Sequence, residues 1–520
     1  MQAILERSAG AGTPARTAAG TPAGMGIWLT NGSACRLSCD RNPIPTLRMH
    51  RPAPTATVKR ILPWLVAVAF FMESLDATIL NTAVPTIAGA LHVAPLSMKS
   101  ALTSYMLSLA VFIPISGWVA DRFGSRRVFV SAIGVFMFGS LMCGLSGSIH
   151  LLVAARILQG CGGAMMVPVG RLTLVRTFAK SELVRAISFF SIPALIGPML
   201  GPLAGGFIVE YFPWRVIFFV NLPIGFMGLY LVYRYLPDYF AEKTDPLDFV
   251  GLVLFGSGIA LFSYVLEIFG EHTLSSTEIV GLLVLSLLLL LAYWRHSLTI
   301  EHPLLRLRLF LIRTFRSSVA GGLVTRVGLG GMPFLLPLLY QVGLGYGPLK
   351  SGMLMMPQPL AAMSLKMTMP WVITRFGYKR VLTSNTIFMG ILIALFATIS
   401  PATPVWRIAL QAFCFGYFSS LQFTAINTIV YADLTESDVS MGSSIASTMQ
   451  QLSLSFGVAT ASLVTAYFIP DRFHASATEM VSGIHRALVV VGVLTLFSAL
   501  VFRQLRPEDG ANVSRHRVEA

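Results

Sequence analysis

Trp118-Val119-Ala120-Asp121-Arg122-Phe123-Gly124-Ser125-Arg126-Arg127-Val128 recurs as Trp371-Val372-Ile373-Thr374-Arg375-Phe376-Gly377-Tyr378-Lys379-Arg380-Val381. Both copies follow an apolar run long enough to cross a bilayer, and both sit in a basic loop. Equivalent loops of the same orientation in two parts of one chain mean a parallel repeat, each half crossing the membrane in the same sense. A shared Arg-Phe-Gly arises easily by chance. A match this long, at matched topology, does not.

Outward from these loops, about fourteen runs have the length of a membrane span. They lie near 61–82, 100–120, 128–147, 151–174, 186–210, 215–236, 249–269 and 278–295, then near 315–341, 351–373, 381–400, 406–430, 441–468 and 485–503. Six spans per half account for twelve, and the pair 249–269 and 278–295 falls between the halves. The expected fold is an all-α polytopic membrane protein. Its domains read as a disordered extension 1–57, a six-helix bundle 58–236, two inserted helices 237–300, a second bundle 301–505 and a tail 506–520. Residues 1–57 are rich in Ala, Gly, Thr, Pro and Arg and lack the apolar core of a signal peptide. Met49, just before the first span, offers an alternative translation start.

Composition agrees. The chain is 55% hydrophobic and 12% charged, with a mean hydropathy of +0.72, whereas soluble domains carry about 25% charged residues. The basic residues behind the net charge of +15 fall mostly in loops between apolar runs. Arg122, Arg126, Arg127, Arg176, Lys180, Arg185, Arg375, Lys379 and Arg380 fall on one side, with a further basic group between Arg295 and Arg316. The opposite loops hold only Lys99, Arg215, Lys350, Arg407, Arg472 and Arg486. This bias implies an even number of spans and cytoplasmic termini. No compact basic domain exists for nucleic acid. Cys35 and Cys39 lie in the polar extension, and Cys143, Cys161 and Cys414 in spans, which is neither a metal site nor a disulfide framework. There is no phosphate-binding G-x-x-x-x-G-K-[ST], no H-E-x-x-H and no G-x-S-x-G, so an ATP-driven pump and an enzyme are disfavoured and no cofactor is expected.

Several stretches resemble the major facilitator superfamily. Gly117-x-x-x-Asp121-Arg122-x-Gly124-x-Arg126-Arg127 is similar to its loop signature, which latches the cytoplasmic gate. In such a loop a Gly lets helices approach, an Asp can sit at a helix N-terminus and basic residues grip neighbouring helix ends. Arg156-x-x-Gln159-Gly160-x-Gly162-Gly163 resembles the fourth-span signature. Gly197-Pro198-x-x-Gly201-Pro202-x-x-Gly205-Gly206 resembles the antiporter signature of the fifth span, where small residues make a flat face and Pro permits a bend. Leu75-Asp76-Ala77-Thr78-Ile79-Leu80-Asn81-Thr82-Ala83-Val84-Pro85 and Trp214–Gly225 resemble the fourteen-span drug:proton antiporters. Within them, Met165–Thr173 and Arg375–Arg380 look closest to one multidrug-resistance branch. The resemblance runs from about residue 60 to 505. It implies a bacterial inner-membrane carrier of small molecules and protons, with a periplasmic adaptor and an outer-membrane channel as candidate partners.

An ionisable residue inside a span is expensive and marks a functional candidate. Glu73 and Asp76 lie three apart, on one helical face. Two close carboxylates in low dielectric disfavour double ionisation and bind a proton more readily; an entering cation reverses this. Asp76 reads either as a coupling group or as a structural carboxylate paired with Arg or backbone amides. Arg156 is either buried with a partner or snorkelling to the surface. Arg171 and Arg326, also expected to be deep, either neutralise Glu73 or Asp76 or bind an anionic substrate. Lys366 is placed to snorkel. Tyr340, Gln341, Gln422, Asn427, Gln450 and Gln451 supply hydrogen-bonding groups for substrate or for helix packing. Asp433, Glu436 and Asp438 form an acidic loop at the cytoplasmic mouth. The 35 Phe and 23 Met suit an adaptable apolar pocket. The favoured function is a proton-coupled antiporter exporting amphipathic or cationic compounds. The alternative is a facilitator for one metabolite, a symporter or an exporter of sugar or amino acid. A membrane sensor or enzyme is remote.

Overall fold

A computed structural model describes residues 56–178, 180–240, 244, 246–268, 275–435, 438–469 and 476–510. The extension up to residue 55, with Cys35 and Cys39, lies outside the described residues. So do Glu436 and the side chains of 180–195 and of Lys366.

In hydrocarbon every backbone N–H and C=O has to be satisfied within the chain, and helices do this without partners. The described elements are helical: α1 (Ala56–Ala90), α2 (Lys99–Phe112), α3 (Ser116–Phe123), α4 (Ser125–Leu145), α5 (Ile149–Thr177), α6 (Lys180–Tyr211), α7 (Val216–Phe219), α8 (Asn221–Tyr235), α9 (Phe249–Ile268), α10 (Ser276–Thr299), α11 (Arg313–Leu338), α12 (Pro348–Met355), α13 (Pro357–Leu395), α14 (Val405–Ile429), α15 (Val439–Phe468) and α16 (Ala477–Phe502). A tight turn at Ile113–Ile115 joins α2 to α3 in one rod, α7 and α8 form another, α12 runs through Met356 into α13, and α13 breaks into two rods at Gly377. Fourteen rods result, one for each expected span. Among the described residues eleven helices are long and apolar enough to cross a membrane. The first helix starts at Ala56, two residues inside the stretch expected to be disordered.

The duplicated loop folds the same way twice. Gly124 takes φ +92° and Gly377 φ +71°, a region that a Cβ disfavours. The rings of Trp118 and Phe123 meet edge to face at 6.1 Å, and those of Trp371 and Phe376 at 6.0 Å. Two apolar cores, one around Val66, Phe129 and Phe136 and one around Leu382, Ile426 and Phe502, belong to separate halves.

The halves join at the end of the bundle opposite the two basic loops. One core there takes residues from both, including Ile79, Ile208, Phe334 and Leu354. Gly206 lies against the backbone of Pro348 and Leu349, and Gly352 against that of Pro202 and Leu203, with no room for a Cβ at either. Gln341 Nε2 donates to the Thr82 carbonyl at 2.8 Å, and Leu349 N to Glu210 Oε2 at 3.1 Å.

The inserted α9 packs on both α2 and α15. Gly256 admits Val111, Phe262 meets Phe456 at 5.2 Å, and Lys99 Nζ donates to the Glu267 carbonyl at 2.5 Å. Outside it, α10 bonds through Ser286 Oγ to the Gly258 carbonyl at 2.9 Å and leaves Val280, Leu287, Leu288 and Leu291 exposed, as lipid-facing side chains are. Buried Asp248 fastens the pair. It accepts from Gly251 N at 2.7 Å and from Leu304 N at 3.0 Å, and meets His296 Nε2 at 2.7 Å. Burial opposes its charge, but these bonds outweigh it and hold its carboxyl below the ordinary range.

A lowered carboxyl pKa gives stability that is present above the ordinary value and lost as pH falls through the folded one. Wild type should therefore melt above Asp248→Asn at neutral pH, and the gap should close below about pH 4. At the junction of the halves, Gly206→Leu should force the far ends apart. Spin labels there should report longer distances, and unchanged distances would contradict the packing described.

Candidate transport site

The Gly-rich stretch of α5 sets the site by letting helices touch. Gly160 meets the Tyr105 carbonyl and Ser108 of α2, Gly162 meets Phe136 and the Ala132 carbonyl of α4, and Gly139 of α4 meets the backbone of Gln159. This approach carries Arg156 and Gln159 inside, where Arg156 is 1% exposed. A guanidinium so placed requires a counter-charge. Arg156 Nη1 donates to Asp76 Oδ2 at 2.6 Å and to Gln159 Oε1 at 2.8 Å, and Nε donates to the Ala101 carbonyl at 3.2 Å. Its plane lies over the Tyr105 ring at 4.2 Å, a cation–π contact.

Asp76 is equally enclosed. Its Oδ1 accepts from Gln159 Nε2 and from Asn221 Nδ2, both at 2.8 Å. Asn221 also donates to Ser140 Oγ at 3.0 Å. One carboxylate thus joins α1, α5 and α8, with α2 and α4 at its edges. The partner of Asp76 is Arg156, not Arg171 or Arg326. Asn221, quoted from the sequence with no role, is a third contact.

Glu73 lies one turn before Asp76 and is only half-buried. Its Oε2 is enclosed without a hydrogen-bond partner. The charges that act on it most are Asp76 and Arg171. Arg171, expected to be deep, is exposed. Arg326, by contrast, is 3% exposed and donates from Nη2 to Asn427 Oδ1 at 2.8 Å. Tyr340 is buried in the far-end core with an unpartnered hydroxyl, and Gln341 ties the halves. Gln422 is held by Asn385 and Thr386.

The antiporter-like stretch serves two contacts. Gly197, Gly201 and Gly205 of α6 face Ser74, Thr78 and Ile79 of α1, and Thr82 Oγ1 donates to the Pro202 carbonyl at 3.2 Å. Gly206 turns to the other half. Pro198 is half-buried beside them.

The basic loop departs from expectation at two residues. Gly117 has no neighbour that a Cβ would meet, so it makes no close approach. Asp121 occupies the last turn of α3, not a helix N-terminus, and pairs with Arg176 of α5. Arg126 does grip a helix end, the Tyr233 carbonyl of α8, while Arg122 is exposed. A residue that sequence reading missed completes the loop. Asp238 packs on Gly124, accepts from Arg126 N at 3.1 Å and lies 3.8 Å from Arg127 Nε. In the second half Asp509 instead pairs with Arg313 at the start of α11 at 2.5 Å, and its neighbour Gly510 packs on Tyr378 of the second loop. In the acidic loop Asp433 accepts from Thr314 at 2.8 Å and Asp438 lies 3.4 Å from Arg306.

A bundle of membrane-crossing helices in two repeated halves, with buried polar groups between them, is the architecture of a secondary carrier. The chain belongs to the Major Facilitator Superfamily, whose family model matches residues 66–458. It is 38% identical over 447 residues to MdtD of Pectobacterium atrosepticum, a candidate multidrug resistance protein, covering 86% of this chain and 95% of that one. The MdtD of Yersinia pestis is 36% identical over 464 residues, covering 88% and 98%. Among solved structures, a bacterial homologue of the lysosomal transporter Spinster, inward-facing and unoccupied, superposes with a TM-score of 0.61 at 13% identity, over 90% of this chain and all of that one. A D-xylose–proton symporter gives 0.62 at 13%, over 87% and 99%. These two show the fold alone. The protein is a multi-pass membrane transporter and not an enzyme.

Removing one partner from a buried ion pair costs about 3–5 kcal/mol, because the other charge stays buried. Asp76→Asn should lower the thermal midpoint of the purified protein strongly, and Asp76→Asn/Arg156→Gln should recover part of the loss. An Asp76→Asn protein as stable as wild type would contradict the pairing.

Proposed function

We propose that the chain is a proton-coupled antiporter that exports small amphipathic compounds, cationic ones among them, by alternating access. The observation that carries this reading is Glu73: a carboxylate inside the first span with one enclosed, unpartnered oxygen, beside a second carboxylate already engaged by Arg156, Gln159 and Asn221. Both oxygens of Asp76 are already held by buried donors. Glu73 Oε2 is not. A proton on Glu73 satisfies it when the site is empty, and a cationic group entering the site favours its charged form and displaces the proton.

In this reading the basic loops face the cytoplasm of a bacterial inner membrane and both termini are cytoplasmic. The halves, 58–236 and 301–505, rock about the far-end contact, with 237–300 between them. The halves meet closely at the far end, where Gly206 and Gly352 pack against the backbone of the opposite half. Asp76 and Arg156 hold α1, α5 and α8 as one body. Asp121–Arg176 and Asp238–Arg126 brace the loop that latches the opposite gate. Similarity to MdtD supports an exported, drug-like cargo.

Everted membrane vesicles energised by respiration test this. A transported compound should raise internal pH in wild type, and Glu73→Gln at equal expression should abolish the response. Compound accumulation that is indifferent to the proton gradient would overturn the proposal.

A further inference from the structure

Among the described residues, Arg326 is a buried cation with no counter-charge. It is 3% exposed, its side chain donates to neutral Asn427, and among the described residues its Nε has no partner. Phe423 lies 5.4 Å from the guanidinium. Among the described residues no carboxylate is within ion-pair distance of it. A cavity of about 10 Å³, bordered by Val319, Asn427, Ala446 and Met449, opens beside it, roughly the space of one water. An unneutralised guanidinium inside a membrane protein is expensive and is retained where something else supplies the charge.

The repeat gives Arg326 a counterpart. The spacing from Trp118 to Trp371 is also the spacing from Glu73 to Arg326. That register is kept to within one residue through the helices concerned. Gly201 of α6 meets Thr78 of α1; Leu454, at the same spacing from Gly201, meets Gly330 of α11, one residue short of the equivalent of Thr78. Glu73 and Arg326 therefore stand, to within one residue, at equivalent places on the first helix of each half. Those two helices are joined at their far ends by Gln341 and Thr82. The two positions carry opposite charges, and each has one enclosed polar atom without a partner.

We propose that the carried compound is amphoteric: its ammonium group meets Glu73, its carboxylate meets Arg326, and its apolar body lies between. This rests on the antiport reading above and names its substrate class. The ammonium displaces the proton of Glu73, which leaves to the basic-loop side; the substrate keeps its own protons. A simple cation would leave Arg326 unneutralised, and a simple anion would leave Glu73 without its competing charge.

The test is equilibrium binding to the full-length carrier in lipid discs, with no gradient, so that it can fail while proton antiport stands, or stand while antiport fails. The probes are ω-aminooctanoate, octylamine and octanoate, which share one apolar chain. Wild type should bind ω-aminooctanoate about tenfold or more tighter than either relative, the effect of one charge-assisted hydrogen bond. Arg326→Gln should lose the preference over octylamine, Glu73→Gln the preference over octanoate, and Arg326→Lys should keep the order, which separates loss of charge from loss of fold. Equal affinities for the three in wild type, including no binding of any, overturn the proposal. So does an unchanged ranking in both Gln variants. If Glu73→Gln/Arg326→Gln restores a stability that each single change lowers, the two residues pair with each other and the proposal fails.

Discussion

A guanidinium enclosed among apolar helices has to meet a carboxylate, and the pairing of Arg156 with Asp76 at 2.6 Å organises the first half of this carrier. The pair requires α1, α5 and α8 to meet at one point. That in turn requires the glycines of α4 and α5, since a side chain at Gly139, Gly160 or Gly162 would hold the helices apart. With Gln159 and Asn221 donating to the other oxygen, both oxygens of Asp76 are hydrogen-bonded, and buried polar groups that find their partners rigidify a core rather than weaken it. Its rigidity leaves the neighbouring Glu73 as the carboxylate with chemistry to spare.

The second half solves the same geometric problem without the same charges. Its helices pack through Gly330, Gly331 and Gly457, with Gly328 on α16, and its buried hydrogen bonds run among neutral groups: Asn385, Thr386 and Gln422. Arg326 is the exception. A duplicated scaffold that has kept its loop turns while diverging in its buried charges provides one rigid, neutralised half and one half with a charge to offer. Alternating access needs the two halves to move as bodies about a contact, and the glycines at 206 and 352 supply a close, backbone-to-backbone seam for that.

The fold was legible because membrane helices announce themselves by length, and because the loop after the second span is written twice. The glycine at its centre was legible too, since φ near +90° leaves few other choices. What surrounds that glycine was not. Asp238 follows the sixth span in a stretch that reads as linker; its only signal is the faint echo of Leu236-Pro237-Asp238 in Leu505-Arg506-Pro507-Glu508-Asp509. Gly117 belongs to the loop pattern yet has open space where a Cβ would sit, so a pattern alone did not reveal which of its glycines makes a close approach. Asp76 and Arg156 were each singled out, but their pairing was not, because partners so far apart in the chain are chosen by helix rotation and crossing. Arg171 and Arg326 look alike in sequence, each an arginine in an apolar run. Rotation about the helix axis exposes one and buries the other.

The central claim is that substrate and proton compete for Glu73. Proton release on substrate binding, followed with a pH indicator and purified carrier in weakly buffered solution, tests it most directly. The account predicts release of about one proton per carrier when a transported compound is added, retained in Arg326→Lys and absent in Glu73→Gln. Binding without release in wild type, or release undiminished in Glu73→Gln, would contradict it.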